Sequence, residues 1–180
     1  MKGVVFNVVE EVVTDLYGRD TWDDLLDGAD ADGAYTALGN YSDAELVRIA
    51  EAAANATGMP LDELWRTVGR LALPKLASRL PDSVEAGTDA MSFLGDVNDI
   101  IHPQVRALYP EAVPPVFEFE PRGDGDIAVR YRSDRELVPL AEGLMLGCGD
   151  LFGEPLEVEL VNHDPGSGTA DFLVRRAPDQ

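Results

Sequence analysis

The sequence predicts an α+β fold, with a helical N-terminal half packed on a C-terminal antiparallel ββαββ half. Two observations carry this. From residue 3 to about residue 108, apolar residues recur every three or four positions. After Pro110 the period changes to two, with Phe117 and Phe119 set against Glu118 and Glu120, and a single helical run divides two strand pairs. The 180 residues fit one domain spanning 1–180, with a helical lobe of about 1–110 and a sheet lobe of about 111–180.

Each element has its own signal. Val4, Val5, Val8, Val9, Val12 and Leu16 give an amphipathic helix over 3–17, which Gly18 stops. Asp20 is placed to cap a short helix carrying Trp22, Leu25 and Leu26, and 30–40 reads as a loop. Ser42-Asp43-Ala44-Glu45 has the spacing of a capping box and opens a helix with Leu46, Ile49 and Ala53 inward. Pro60 starts the next helix, which turns Leu61, Leu64, Trp65, Val68 and Leu71 or Ala72 to one side until Pro74 kinks or ends it. Residues 82–87 read as a loop, and 90–108 as one helix with Met91, Leu94, Val97, Ile101 and Val105 inward. Pro103 disfavours regular helix at His102, so a break is expected there. Arg122-Gly123-Asp124-Gly125 turns the first hairpin into 127–131. A helix follows over 137–151, then strands on Leu156, Val158 and Leu160 and on Phe172 and Val174.

Composition narrows the function. With 34 acidic against 14 basic residues the net charge is −20, which argues against nucleic acid and anionic membrane surfaces as partners. No apolar run approaches the roughly 18 residues of a membrane span, and the N-terminal stretch, broken by Glu10 and Glu11, does not read as a signal peptide. Cys148 is the lone cysteine, so an intramolecular disulfide is impossible and a reducing, cytoplasmic setting is expected; between Gly147 and Gly149 it reads as a packing residue. The acidity, with Lys2 and Lys75 the only lysines, suggests a halophilic cytoplasm.

The chemistry gathers at Tyr131-Arg132-Ser133-Asp134-Arg135 and at His102. On a continuing strand Tyr131, Ser133 and Arg135 point the same way and present a phenol, a hydroxyl and a guanidinium, a donor set suited to carboxylate or phosphate. The plainer reading is a solvated strand end. His102, after Ile100 and Ile101, has an apolar surround that would keep its imidazole neutral, although a lone histidine is more often structural than a ligand. His163, beside Asn162 and Asp164 at a turn, reads as a surface residue.

Taken with its surroundings, Tyr-x-Ser-x-Arg resembles the signature of the H-NOX family, the heme-nitric oxide/oxygen binding domains. The similarity runs in order along nearly the whole chain: Met1-Lys2-Gly3, Tyr17-Gly18 and Trp22, Leu64-Trp65-Arg66-Thr67-Val68-Gly69, His102, Leu108-Tyr109-Pro110, Pro114-Pro115, the triplet, and Gly143-Leu144. The resemblance implies heme b between the two halves, with His102 as the iron ligand and metal-binding residue, Tyr131, Ser133 and Arg135 on the propionates, and Pro115 distorting the porphyrin. One axial histidine would leave the sixth iron position to a gas. Oxygen-holding relatives use a distal tyrosine. Here the matching position is Leu140, with Val9 and Ala72 at supporting positions and Val5, Leu73, Leu76 and Leu144 completing an apolar distal pocket.

The resemblance therefore implies a non-enzymatic sensor of nitric oxide and carbon monoxide that relays ligand state to a signalling protein on another chain. A histidine kinase, a cyclic-di-GMP enzyme or a chemotaxis receptor would be the partner. Release of the histidine by nitric oxide would move the helical half against the sheet half. Alternatives are an oxygen-binding member and a heme-free small-molecule or scaffold domain of the same fold. A hydrolase using His163 and Asp164 would need a nucleophile elbow, metal-ligand spacing or a phosphate loop, and none is seen.

Self-repulsion at −20 should make stability depend on salt, since the Debye length falls from about 10 Å at 0.1 M to about 3 Å at 1 M. The melting temperature is expected to climb steeply with potassium chloride. A flat profile would reduce the acidity to genomic bias.

Overall fold

The valine stripe of the N-terminal segment forms α1 (Gly3–Tyr17), with Val4, Val8, Val9, Val12 and Val13 buried and Leu16 left exposed. The computed structural model describes residues 1–80 and 89–178, so the loop expected at 82–87 lies outside the described residues. Three further helices follow: α2 (Arg19–Ala29), α3 (Asp43–Thr57) and α4 (Leu61–Ala77). Two expected caps are absent. Gly18 is the N-cap of α2, which leaves Asp20 inside the first turn, where its charge still complements the helix dipole. Ser42 flanks α3 without a side-chain cap: the Glu45 N–H donates to the Ser42 carbonyl at 3.2 Å, and the Glu45 carboxylate accepts a 2.6 Å hydrogen bond from the Tyr35 hydroxyl. On α3 the third buried position is Ala50, not Ala53, and on α4 Ala72 is buried while Leu71 stands at the surface. Pro74 lies in the last turn of α4, so it withdraws one N–H from the Arg70 carbonyl and the helix runs one turn further.

The single helix expected over 90–108 is three pieces: α5 (Ala90–Gly95), a π-helical segment (Val97–Ile101) and α6 (His102–Leu108). Asp89 caps α5, its Oδ1 accepting from the Met91 and Ser92 N–H groups at 3.0 and 2.9 Å. The break foreseen at His102 falls one turn earlier. The Ile101 N–H reaches back five residues to the Asp96 carbonyl at 3.2 Å, while His102 itself is helical at φ −62° and ψ −35°. Pro103 can neither donate to nor comfortably approach the carbonyl four residues behind it, and the widened turn relieves that crowding.

The C-terminal half is β1 (Val116–Pro121), β2 (Ile127–Arg132), α7 (Val138–Phe152), β3 (Leu156–Asp164) and β4 (Thr169–Arg176). The strands form one antiparallel sheet in the order β1-β2-β4-β3, with Phe117 opposite Tyr131 and Val129 opposite Phe172. The fold is thus the expected helical half plus antiparallel four-stranded sheet. The buried apolar residues gather in separate cores. One core gathers Phe6, Trp22, Leu46, Ile49 and Trp65 from α1–α4. The other gathers the sheet and α7 with Ala90, Met91, Phe93 and Leu94, so α5 packs with the sheet. Its apolar residues find partners there: the Phe93 and Phe152 rings lie 5.5 Å apart.

Helix α7 also joins the two halves, by crossing α4 backbone to backbone. A methyl group added at Gly69 would meet the Leu140 carbonyl, and one at Gly143 the Arg66 carbonyl. Alanine normally stabilises a helix interior relative to glycine by about 0.5–1 kcal/mol. Gly143→Ala is expected to do the reverse, because overpacking of about 1–3 kcal/mol outweighs that gain. A lowered melting temperature checks this; an unchanged or raised one contradicts the close crossing.

Candidate functional site

Between the two cores lies an apolar cavity of about 310 Å³. The residues that the family resemblance singled out line it: Val5 and Val9 on α1, Leu73 and Leu76 on α4, Leu140 and Leu144 on α7, Pro115 before β1, His102, and the triplet Tyr131, Ser133 and Arg135. Ala72 is there too, as are Phe117 and Phe119, which periodicity marked only as core.

His102 opens α6 at the end of the π-helical segment and is half-buried. Its Nδ1 is sealed from solvent and has no hydrogen-bond partner. Its ring tilts towards that of Phe117, centroid to centroid 6.1 Å. Burial pushes the imidazole pKa down to about 4, and the Arg106 charge pushes the same way. At neutral pH the ring is uncharged and free to act as a Lewis base, the state a metal requires of histidine.

The triplet is built differently from the expected single strand face. Tyr131 is buried on β2, but the strand ends at Arg132. The chain then folds through Glu136 at φ 53°. The Ser133 Oγ accepts from the Arg135 N–H at 3.2 Å, and the Ser133 N–H donates to the Gly168 carbonyl at 2.8 Å. The Glu136 carboxylate accepts from the Gly168 N–H at 2.9 Å, fixing this turn on the β3–β4 hairpin. The local bonds of the turn replace the ladder, yet all three side chains still line the cavity. Burial raises the Tyr131 pKa, with the Ser133 hydroxyl opposing it, so the phenol stays a donor.

Arg135 reaches out of the sheet half. Its Nη1 donates to the Val113 carbonyl at 2.7 Å, and its Nε lies 3.0 Å from Asp43 Oδ2 at the start of α3. The Met1 ammonium lies 2.6 Å from Asp43 Oδ1. The two approaches are ionic, since neither Arg135 Nε nor Asp43 Oδ1 has an aligned hydrogen-bond partner. Burial alone would raise the Asp43 carboxyl, but the Met1 ammonium and Arg135 pull it below its usual value. Sequence reasoning missed this residue because Ser42-Asp43 reads as a helix start; two cations converging on it are visible only in three dimensions.

Cys148 lines the cavity wall and its thiol donates to the Leu144 carbonyl at 3.4 Å. Burial raises its pKa, so it remains a packed thiol, as read from the sequence. His163 is exposed on β3, outside the cavity. Among the described residues no helix is long and apolar enough to cross a membrane.

Comparison with known proteins converges on one family. The Haem-NO-binding family model matches residues 2–160. The H-NOX protein of Shewanella oneidensis, in its Fe(II)NO ligation state, superposes with a TM-score of 0.92 at 29% identity, over 99% of this chain and 100% of that one. A mutant of the T. tengcongensis H-NOX gives 0.81 at 29% identity, over 97% and 95%. The soluble guanylate cyclase gcy-35 of Caenorhabditis elegans is 23% identical over 151 residues. That stretch is 81% of this chain but only 22% of the cyclase.

The Asp43–Arg135 pair yields a pH-dependent expectation. A carboxyl depressed in the folded state contributes stability in full above its unfolded pKa near 3.9 and loses it as pH falls through the lower folded value. With the Asp43 side chain 45% exposed, Asp43→Asn should cost about 0.5–1 kcal/mol at pH 7. The wild-type and variant stability curves should converge at the acid pH where Asp43 is protonated in both the folded and the unfolded state. Parallel curves down to that pH would contradict the pair.

Proposed function

The chain belongs to the Haem-NO-binding family, whose members bind heme, and we propose that it is a gas sensor for nitric oxide and carbon monoxide rather than an enzyme. The observation that carries this reading is a neutral imidazole with an unpartnered Nδ1 on the same apolar cavity as the phenol, hydroxyl and guanidinium of Tyr131, Ser133 and Arg135. That donor set fits heme b. His102 would hold the iron, Tyr131, Ser133 and Arg135 the propionates, and Pro115 would press on the porphyrin face. When bound, the iron supplies the coordination position that captures a diatomic gas.

The remaining selectivity belongs to this chain's side chains. Val5, Val9, Leu73, Leu76, Leu140 and Leu144 offer no hydrogen-bond donor to a gas. Oxygen, which gains partial negative charge when bound, loses most from that lack. A charged hydrogen bond contributes about 1.5–3 kcal/mol, so oxygen affinity should fall about ten- to a hundredfold, while nitric oxide and carbon monoxide bind well.

Arg135 ties the triplet to α3, and the His102 ring lies beside Phe117 on the sheet side. A change in the hold on His102 would therefore shift the sheet-side core against α1–α4, and the ligand can bias that equilibrium only by its differential affinity for the two states. The receiver would be a separate signalling protein: a histidine kinase, a cyclic-di-GMP enzyme or a chemotaxis receptor.

The test is the absorption spectrum of reconstituted, reduced protein with each gas. A Soret band that shifts with nitric oxide and carbon monoxide but not stably in air is expected. His102→Ala should lose tight heme unless imidazole is supplied, and Arg135→Ala should raise the heme off-rate more than Ser133→Ala. Leu140→Tyr should raise oxygen affinity. A long-lived oxygen spectrum in the wild type would replace the nitric oxide reading by oxygen binding, and the lack of any Soret band would remove heme altogether.

A further inference from the structure

β1 is an edge strand, so the backbone groups that Phe117 turns away from β2 have no strand partner. One side chain takes both of them. The Asn98 amide Nδ2 donates to the Phe117 carbonyl, and its Oδ1 accepts from the Phe117 N–H at 3.2 Å. A planar carboxamide bonding N–H and C=O of one residue imitates a neighbouring strand. Asn98 stands in the π-helical segment, four residues before His102. The Phe117 ring in turn lies 6.1 Å from His102 and 5.6 Å from Tyr131. The one β1 residue that Asn98 grips is therefore the residue whose ring touches both the histidine and the triplet.

We propose that Asn98 is a positioning residue for His102, fastening the segment that carries it to β1 and so setting how stiffly the imidazole is held over the cavity. This rests on the reading of His102 as the iron ligand. Beyond its own backbone hydrogen bonds, the segment packs Val97 and Ile101 against the sheet-side core, with α5 buried just before it. Apolar contacts are non-directional and allow sliding, whereas two bonds from one amide fix a distance and an angle. A π-helical turn, held by poorer backbone geometry than an α-turn, depends on such an outside anchor. Loss of the clamp should leave the fold standing and let His102 move.

The variant to make is Asn98→Leu, close in volume and without donor or acceptor, with Asn98→Asp keeping only the acceptor. In heme-free protein, Asn98→Leu should speed amide exchange at Phe117 while Val129 and Tyr131 keep theirs, and Asn98→Asp should retain part of the protection. In heme-loaded protein, the iron–histidine stretching band should shift and broaden. Conversion of the nitric oxide complex to its histidine-free form should quicken about tenfold, the factor expected for one or two lost hydrogen bonds. If Phe117 exchange does not change, the clamp does not exist. If exchange quickens while the stretching band and conversion rate stay at wild-type values, the clamp exists but positions nothing, which also overturns the proposal. If wild-type protein takes up no heme, the functional reading falls, and the clamp is then judged on Phe117 exchange alone.

Discussion

Proteins pack their interiors to the density of organic crystals, and this chain holds a cavity of about 310 Å³ at the seam of two cores. The rest of the structure follows from keeping that space open. Its walls belong to separately packed units: α1–α4 on one side, and α5, the sheet and α7 on the other. Neither can collapse into the gap without disrupting its own core. Helix α7 sets the separation, because Gly69, Gly143 and Gly147 let its backbone meet that of α4 with no side chain between. Apolar walls suit an apolar ligand, with Tyr131, Ser133 and Arg135 able to meet a polar end of it.

Charge follows the same division. The surface is strongly acidic, and its arginines are largely committed to ion pairs, among them Arg130 with Asp171, Arg132 with Glu118 and Arg175 with Asp126 and Glu159. Arg66 and Arg70 on α4 pair with Glu142 and Asp150 on α7, and Arg135, which lines the cavity, reaches Asp43 and the Val113 carbonyl, so all three bridge the halves. An oxyanion drawn to Arg135 would therefore enter a site already linked to α3, so cofactor binding and the fit of the two halves are joined at one side chain.

Much of this was legible in the sequence, for physical reasons. The valine stripe of α1 and the alternation Phe117–Phe119 reported helix and strand, because burial on one face imposes a period. His102 and the triplet were legible because a resemblance in order and spacing tied them together. What escaped was set by competition between partners. The Glu45 carboxylate paired with Tyr35, and Asp43 served Arg135 instead of only starting a helix. The π-helical turn was foreseen only as a break at Pro103, because the clamp between Asn98 and Phe117 joins positions that no local pattern connects. That α5 packs with the sheet was not legible, since α5 is periodic like the helices before it and periodicity does not say which core a helix joins.

The account stands on one cavity offering a neutral imidazole at His102 and a phenol, a hydroxyl and a guanidinium at Tyr131, Ser133 and Arg135 to the same ligand. A crystal structure of the heme-reconstituted ferrous protein tests this most directly. It should place the iron on His102 and both propionates within reach of Tyr131, Ser133 and Arg135. Iron on any other side chain, Cys148 included, or propionates turned away from Arg135, would contradict it.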